Sequence, residues 1–124
     1  MARILVAEDD RPLADSVQRA LARAGHEVVS VPDGLMALAA LGSGRFDLLL
    51  ADIAMPELDG IALALKVDKD FPQTRILMMT GFKPEGRHAH NLGALVHGVI
   101  EKPFTLSEIC HSVEQTLMNG GSQA

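Results

Sequence analysis

The chain has 124 residues, 48% of them hydrophobic, and its 11 basic and 16 acidic side chains leave a net charge of −5. That composition suits one domain with one core and excludes a disordered chain, while the lack of any basic block argues against nucleic acid as a direct partner. A single cysteine, Cys110, leaves no internal disulfide, and the N-terminus carries no pattern of a signal peptide or membrane anchor, so a cytoplasmic, reducing location is expected.

The first strand is predicted over residues 3–7, an apolar run that ends in Glu8-Asp9-Asp10. Asp10 suits a helix cap, and Pro12 suits the first turn. Leu13, Val17, Ala20, Leu21 and Ala24 follow helical spacing until Gly25 stops it. A short second strand covers 27–31. Pro32-Asp33-Gly34 then turns the chain into a second helix over about 35–41, closed by Gly42-Ser43-Gly44. The third strand is predicted over 47–51. Its unbroken apolar run, Leu48 to Ala51, reads as a strand buried on both faces, with Asp52 directly at its end. A third helix follows over about 60–71, with Pro72 after it. The fourth strand covers 75–79 and ends at Thr80-Gly81.

Residues 82–97 contain Pro84, Gly86 and Gly93, which allow at most a short or irregular helix. The fifth strand is predicted over 98–101, followed by Lys102-Pro103-Phe104. Thr105-Leu106-Ser107-Glu108 is a capping box that opens the last helix. Leu106, Ile109, Cys110, Val113 and Leu117 form that helix's apolar face.

Strands and helices in strict alternation imply a parallel sheet covered on both faces. The expected fold class is α/β, a flavodoxin-like, doubly wound five-stranded sheet of order 2-1-3-4-5. In that order the first and third strands are neighbours, so Glu8, Asp9 and Asp52 converge at the carboxyl edge, where open α/β sheets bind ligands. Thr80 and Lys102 reach the same edge. Clustered carboxylates repel one another unless a cation sits among them, and Mg²⁺ is the natural choice for oxygen ligands. A carboxylate can act as nucleophile and form an acyl phosphate. Asp52, standing between the acid pair and Thr80, is the best placed to do so. Lys102 and the Thr80 hydroxyl would meet the phosphoryl oxygens.

With these residues in order, the chain resembles a response-regulator receiver domain over nearly its whole length. The resemblance rests on Ile4 to Asp10, Phe46 to Gly60, Met78-Met79-Thr80-Gly81 and Lys102-Pro103-Phe104. It implies that Asp52 takes phosphate from a histidine kinase or a histidine phosphotransfer protein. It implies Mg²⁺ at Asp9 and Asp52, helped by Glu8 through water and by the Ala54 backbone carbonyl. It implies that Thr80 and Lys102 read the phosphoryl group, and that the chain is a switch and not an enzyme. Residues 1–119 are expected to form the receiver, with a short tail over 120–124 and no output domain, so the readout must be another protein. Thr80-Gly81-Phe82 is similar to stand-alone regulators that work through a AAA+ protease. One departure is Val99, where many receivers carry Tyr or Phe.

Two other functions compete. A haloacid-dehalogenase-type phosphatase also uses a strand-end Asp, but it needs a second acid two residues on, and here that position is Ala54. A phosphorylation-independent interaction module would lack an acid, the Thr or the Lys, and none is missing. His88 and His90 are too few to make a metal site and are read as exposed loop residues. Cys110 is read as a core thiol. Met36, Met55, Met78, Met79 and Met118 are read as core or loop packing.

Overall fold

The computed structural model describes residues 1–81 and 95–121. Its elements are β1 (Arg3–Ala7), α1 (Arg11–Arg23), β2 (Glu27–Val31), α2 (Gly34–Ser43), β3 (Leu48–Asp52), α3 (Gly60–Asp70), β4 (Arg75–Thr80), β5 (Gly98–Glu101) and a last helix, α4 (Leu106–Gly121). The strands form one sheet in the order β2-β1-β3-β4-β5, and every pairing is parallel.

Side chains alternate across a strand, so each central strand feeds two cores. Leu5, Ala7, Leu49, Ala51, Ile76 and Met78 pack on one face against Ala37, Leu41, Leu63, Ala64 and Val67 of α2 and α3. Ile4, Val6, Leu48, Leu50, Leu77 and Met79 pack on the other against Val17, Leu21, Ile109 and Val113 of α1 and α4. Burial on both faces is why these strands read as continuous apolar runs.

The parallel register brings all strand ends level. Ala7 pairs with Ala51, Asp52 with Met79, and Thr80 with Glu101. Helix starts therefore line the same edge, each with a cap. Asp10 accepts from Leu13 N–H at 3.2 Å, Asp33 from Met36 N–H at 2.9 Å and Asp59 from Ala62 N–H at 2.9 Å. The capping box is formed as expected. Thr105 N–H donates to Glu108 Oε1 at 2.7 Å, and Glu108 N–H to Thr105 Oγ1 at 3.0 Å. Gly25, at φ +98, ends α1 in the left-handed region that glycine tolerates best.

Strand β3 runs one residue later than expected and includes Asp52, because Ile53 N–H continues the ladder to Met79 O at 3.0 Å. Helix α2 is also longer at both ends than expected. The methionine reading needs correction. Met78 and Met79 are core, but Met36 and Met118 are exposed helix residues, pointing off the buried stripes that contain Ala37 and Leu41 in α2 and Ile109 and Val113 in α4. The irregular segment falls mostly outside the described residues, as do His88 and His90. Its described end is tied down: His97 N–H donates to Ile76 O at 2.8 Å, and Ile76 N–H to His97 Nδ1 at 2.9 Å.

Candidate functional site

Glu8 follows β1, Asp52 ends β3, Thr80 ends β4 and Lys102 follows β5, so four strands deliver side chains to one place. Glu8 is 1% exposed and Asp52 is 7% exposed, while Asp9 is on the surface. One carboxylate oxygen from each of Glu8, Asp9 and Asp52 lies within 4.8 Å of the others. Thr80, at the end of the neighbouring strand β4, is buried at the same edge.

Lys102 crosses the site. Its Nζ donates to Asp52 Oδ2 at 2.7 Å and to Glu8 Oε1 at 2.9 Å. Its backbone N–H donates to Thr80 O at 2.7 Å, which fixes the stem from which the side chain reaches. The Lys102–Pro103 peptide bond is cis. Backbone donors hold the remaining oxygens. Ala54 N–H meets Asp52 Oδ1 at 3.2 Å, and Asp10 N–H meets Glu8 Oε2 at 3.1 Å.

These contacts set the charge states. Burial pushes the Glu8 carboxyl up to about 7; the Asp52 charge adds to this, while Lys102 and the Asp10 N–H oppose it. Burial alone would lower Lys102, but its hydrogen bonds to Asp52 and Glu8 outweigh that and hold it above its ordinary value. Lys102 thus stays charged, and Glu8 shares a proton equilibrium with the solvent near neutrality.

The loop after Asp52 is built around close approaches. Gly60 N–H donates to Ile53 O at 2.8 Å, and a Cβ on Gly60 would fall onto the Asp52 carbonyl oxygen. Only glycine fits there without moving the end of β3.

The structure therefore brings together Glu8, Asp9, Asp52, Thr80 and Lys102, with Ala54 contributing a backbone N–H to Asp52. The donor set is all oxygen, anionic and partly open, which suits a hard divalent cation of the Mg²⁺ kind. Direct pairing of Glu8 with Lys102 was not anticipated. The two are 94 positions apart, on strands separated by β3 and β4, and no local pattern signals the reach of a long side chain across them. The Gly60 approach did have a signal, an Asp-Gly pair opening a helix after the apolar strand. Val99 is 41% exposed on edge strand β5.

A family model for the response regulator receiver domain matches residues 4–114. The chain is 36% identical over 118 residues to the response regulator receiver protein CpdR of Brucella abortus, covering 95% of this chain and 98% of that one. A CheY-like receiver domain protein of Methanospirillum hungatei superposes with a TM-score of 0.89 at 27% identity, over 100% of this chain and 99% of that one. The response regulator TrrA of Thermotoga maritima, solved in complex with Mg²⁺-BeF, superposes with a TM-score of 0.82 at 26% identity, over 94% and 99%.

Proposed function

Because this chain belongs to the family of response regulator receiver domains, we propose that Asp52 accepts a phosphoryl group from a histidine kinase or a histidine phosphotransfer protein. The phosphorylated chain then signals by binding another protein. The observation that carries this reading is the position of Asp52. It is a buried carboxylate held by Lys102 on one oxygen and by a backbone N–H on the other, with Glu8 and Asp9 beside it.

In the transfer, an Asp52 carboxylate oxygen attacks the phosphorus. The O–P bond forms as the P–N bond to the donor histidine breaks, and the bond electrons return to the imidazole, which takes up a proton. Lys102 leaves Oδ2 as that oxygen is esterified and follows the charge to the phosphoryl oxygens. The Thr80 hydroxyl supplies a further donor to them. Glu8, Asp9, Asp52 and the Ala54 carbonyl would hold Mg²⁺. When bound, the ion supplies positive charge for the crowded oxygens. TrrA, which binds Mg²⁺-BeF, supports this placement by its similarity.

Residues 1–119 are read as one receiver unit, which contains the 4–114 matched by the family model. A switch is favoured over a phosphatase because Ala54 stands where an Asp-nucleophile phosphatase needs its acid. The similarity to CpdR, and to stand-alone regulators that act through a AAA+ protease, makes such a protease the first output partner to try.

The test is labelling by acetyl phosphate with Mg²⁺, followed by intact mass. One phosphoryl group, labile to hydroxylamine and dependent on Mg²⁺, is expected on the wild type and none on Asp52→Asn. Equal labelling of both proteins would exclude Asp52 as the acceptor.

A further inference from the structure

The sheet edge that carries Asp52 also carries the starts of α1, α2 and α3, capped by Asp10, Asp33 and Asp59. Glu57 lies exposed in the loop between β3 and α3. Among the described residues none of these acids is in an ion pair. Lys102 is engaged with Glu8 and Asp52, and Arg11 with Asp15. The rim is therefore a region of negative potential.

An uncovered apolar turn sits on this rim. Leu35 and Met36, in the first turn of α2, are 52% and 50% exposed, while Gly34, Ala37 and Leu41 of the same helix are buried. The two adjacent side chains make a small apolar patch, and the flanking Asp33, Glu57 and Asp59 give it an acidic border.

The turn is joined mechanically to Asp52. A Cβ on Gly34 would fall onto the Leu58 carbonyl oxygen and lie 2.8 Å from Leu58 Cβ. Gly60, two residues on, touches the Asp52 carbonyl in the same way. Running into Leu58 the chain makes a γ-turn, in which Leu58 N–H donates to Pro56 O at 2.8 Å and Glu57 takes φ +70. That conformation is strained for a residue with a Cβ and persists only where its surroundings hold it. The end of the loop nearest α3 is held twice, against α2 at Leu58 and against the end of β3 at Gly60. Joints at which backbones touch this closely pass displacement on.

We propose that the first turn of α2, with Leu35 and Met36 as its apolar centre, is a docking surface for a basic amphipathic helix of a partner protein. Its presentation is coupled to Asp52 through the Gly60 and Gly34 joints. The apolar pair accepts the helix's hydrophobic stripe, and Asp33, Glu57 and Asp59 face its lysines or arginines. The coupling, but not the surface itself, rests on Asp52 being the phosphoacceptor.

The probe is a synthetic helical Leu/Lys peptide, compared with a scrambled peptide of the same composition and with a Leu/Glu counterpart. Binding is followed on the full chain through backbone amide shifts. Shifts should centre on residues 33–36 and 57–59, and the ordered peptide should bind at least ~10-fold more tightly than the scrambled one, as expected when two half-exposed apolar side chains are covered. Leu35→Ser/Met36→Ser should remove that advantage, and Glu57→Gln should weaken binding while leaving acetyl phosphate labelling unchanged. Adding beryllium fluoride and Mg²⁺ should change the affinity of the wild type and not of the Leu35→Ser/Met36→Ser protein. Shifts centred on β5 and α4, equal binding of ordered and scrambled peptides, or unchanged binding by the double variant would overturn the surface. Unchanged affinity with beryllium fluoride would overturn the coupling. If acetyl phosphate fails to label Asp52, the phosphoacceptor reading falls while the peptide map stands or falls by itself.

Discussion

Glu8 sits where a carboxyl rarely ionises freely, buried against Asp52 and raised to about 7. In the unfolded chain it would titrate near its ordinary 4.5, so between those values the folded protein binds more protons, and this group's contribution to stability falls as the pH rises. A divalent cation favours the ionised form and competes with the proton. Mg²⁺ affinity should therefore climb from about pH 6 to about pH 8 and level off above that, and Glu8→Gln should flatten the climb. Titration calorimetry is the appropriate measurement, because the chain has neither Trp nor Tyr to report by fluorescence. An unchanged slope in Glu8→Gln would show that another group carries the dependence. Most of the site was legible at this scale. Asp52 and Thr80 announce themselves by ending apolar runs, and Lys102 by its place before Pro103 after the fifth strand. The charge pairing was not legible, because it depends on a side chain spanning two intervening strands.

At the scale of elements, local chemistry predicted well where it is decided locally. Thr105 and Glu108 cap α4 as their spacing requires, and Asp10 caps α1. What propensity could not reveal is where two backbones touch. Gly60 opens α3 like many helix-start glycines, yet its missing Cβ is what lets the helix meet the Asp52 carbonyl. Gly60→Ala should destabilise the protein by roughly 1–3 kcal/mol, as overpacking does, and should slow acetyl phosphate labelling by shifting the end of β3. Gly42→Ala is the control. Nothing lies within 4 Å of its added Cβ, and a helical Gly-to-Ala change there should be neutral or stabilising by up to ~1 kcal/mol. Urea unfolding followed by circular dichroism checks both. Equal stability of the two variants would show that the Gly60 joint yields easily. The expectation of at most a short or irregular helix over 82–97, argued from Pro84, Gly86 and Gly93, falls mostly outside the described residues.

For the whole molecule, one topological fact organises the rest. A parallel sheet with level strand ends gathers the starts of the described helices and the five side chains of the candidate site on one rim. The order of strands followed from the alternation of elements and the size of the chain, and the two-sided core followed from runs such as Leu48 to Ala51. Which partner reads the rim does not follow from the fold, because it depends on a few exposed residues such as Leu35, Met36 and Glu57 that the core does not constrain. In the proposed function Asp52 is the point where the signal enters. Borohydride reduction of the protein after acetyl phosphate treatment converts a phosphorylated aspartate into homoserine, and peptide mass spectrometry then locates it. Homoserine at position 52 and nowhere else is the predicted result. Homoserine at Asp9 or Asp59, with Asp52 intact, would contradict it.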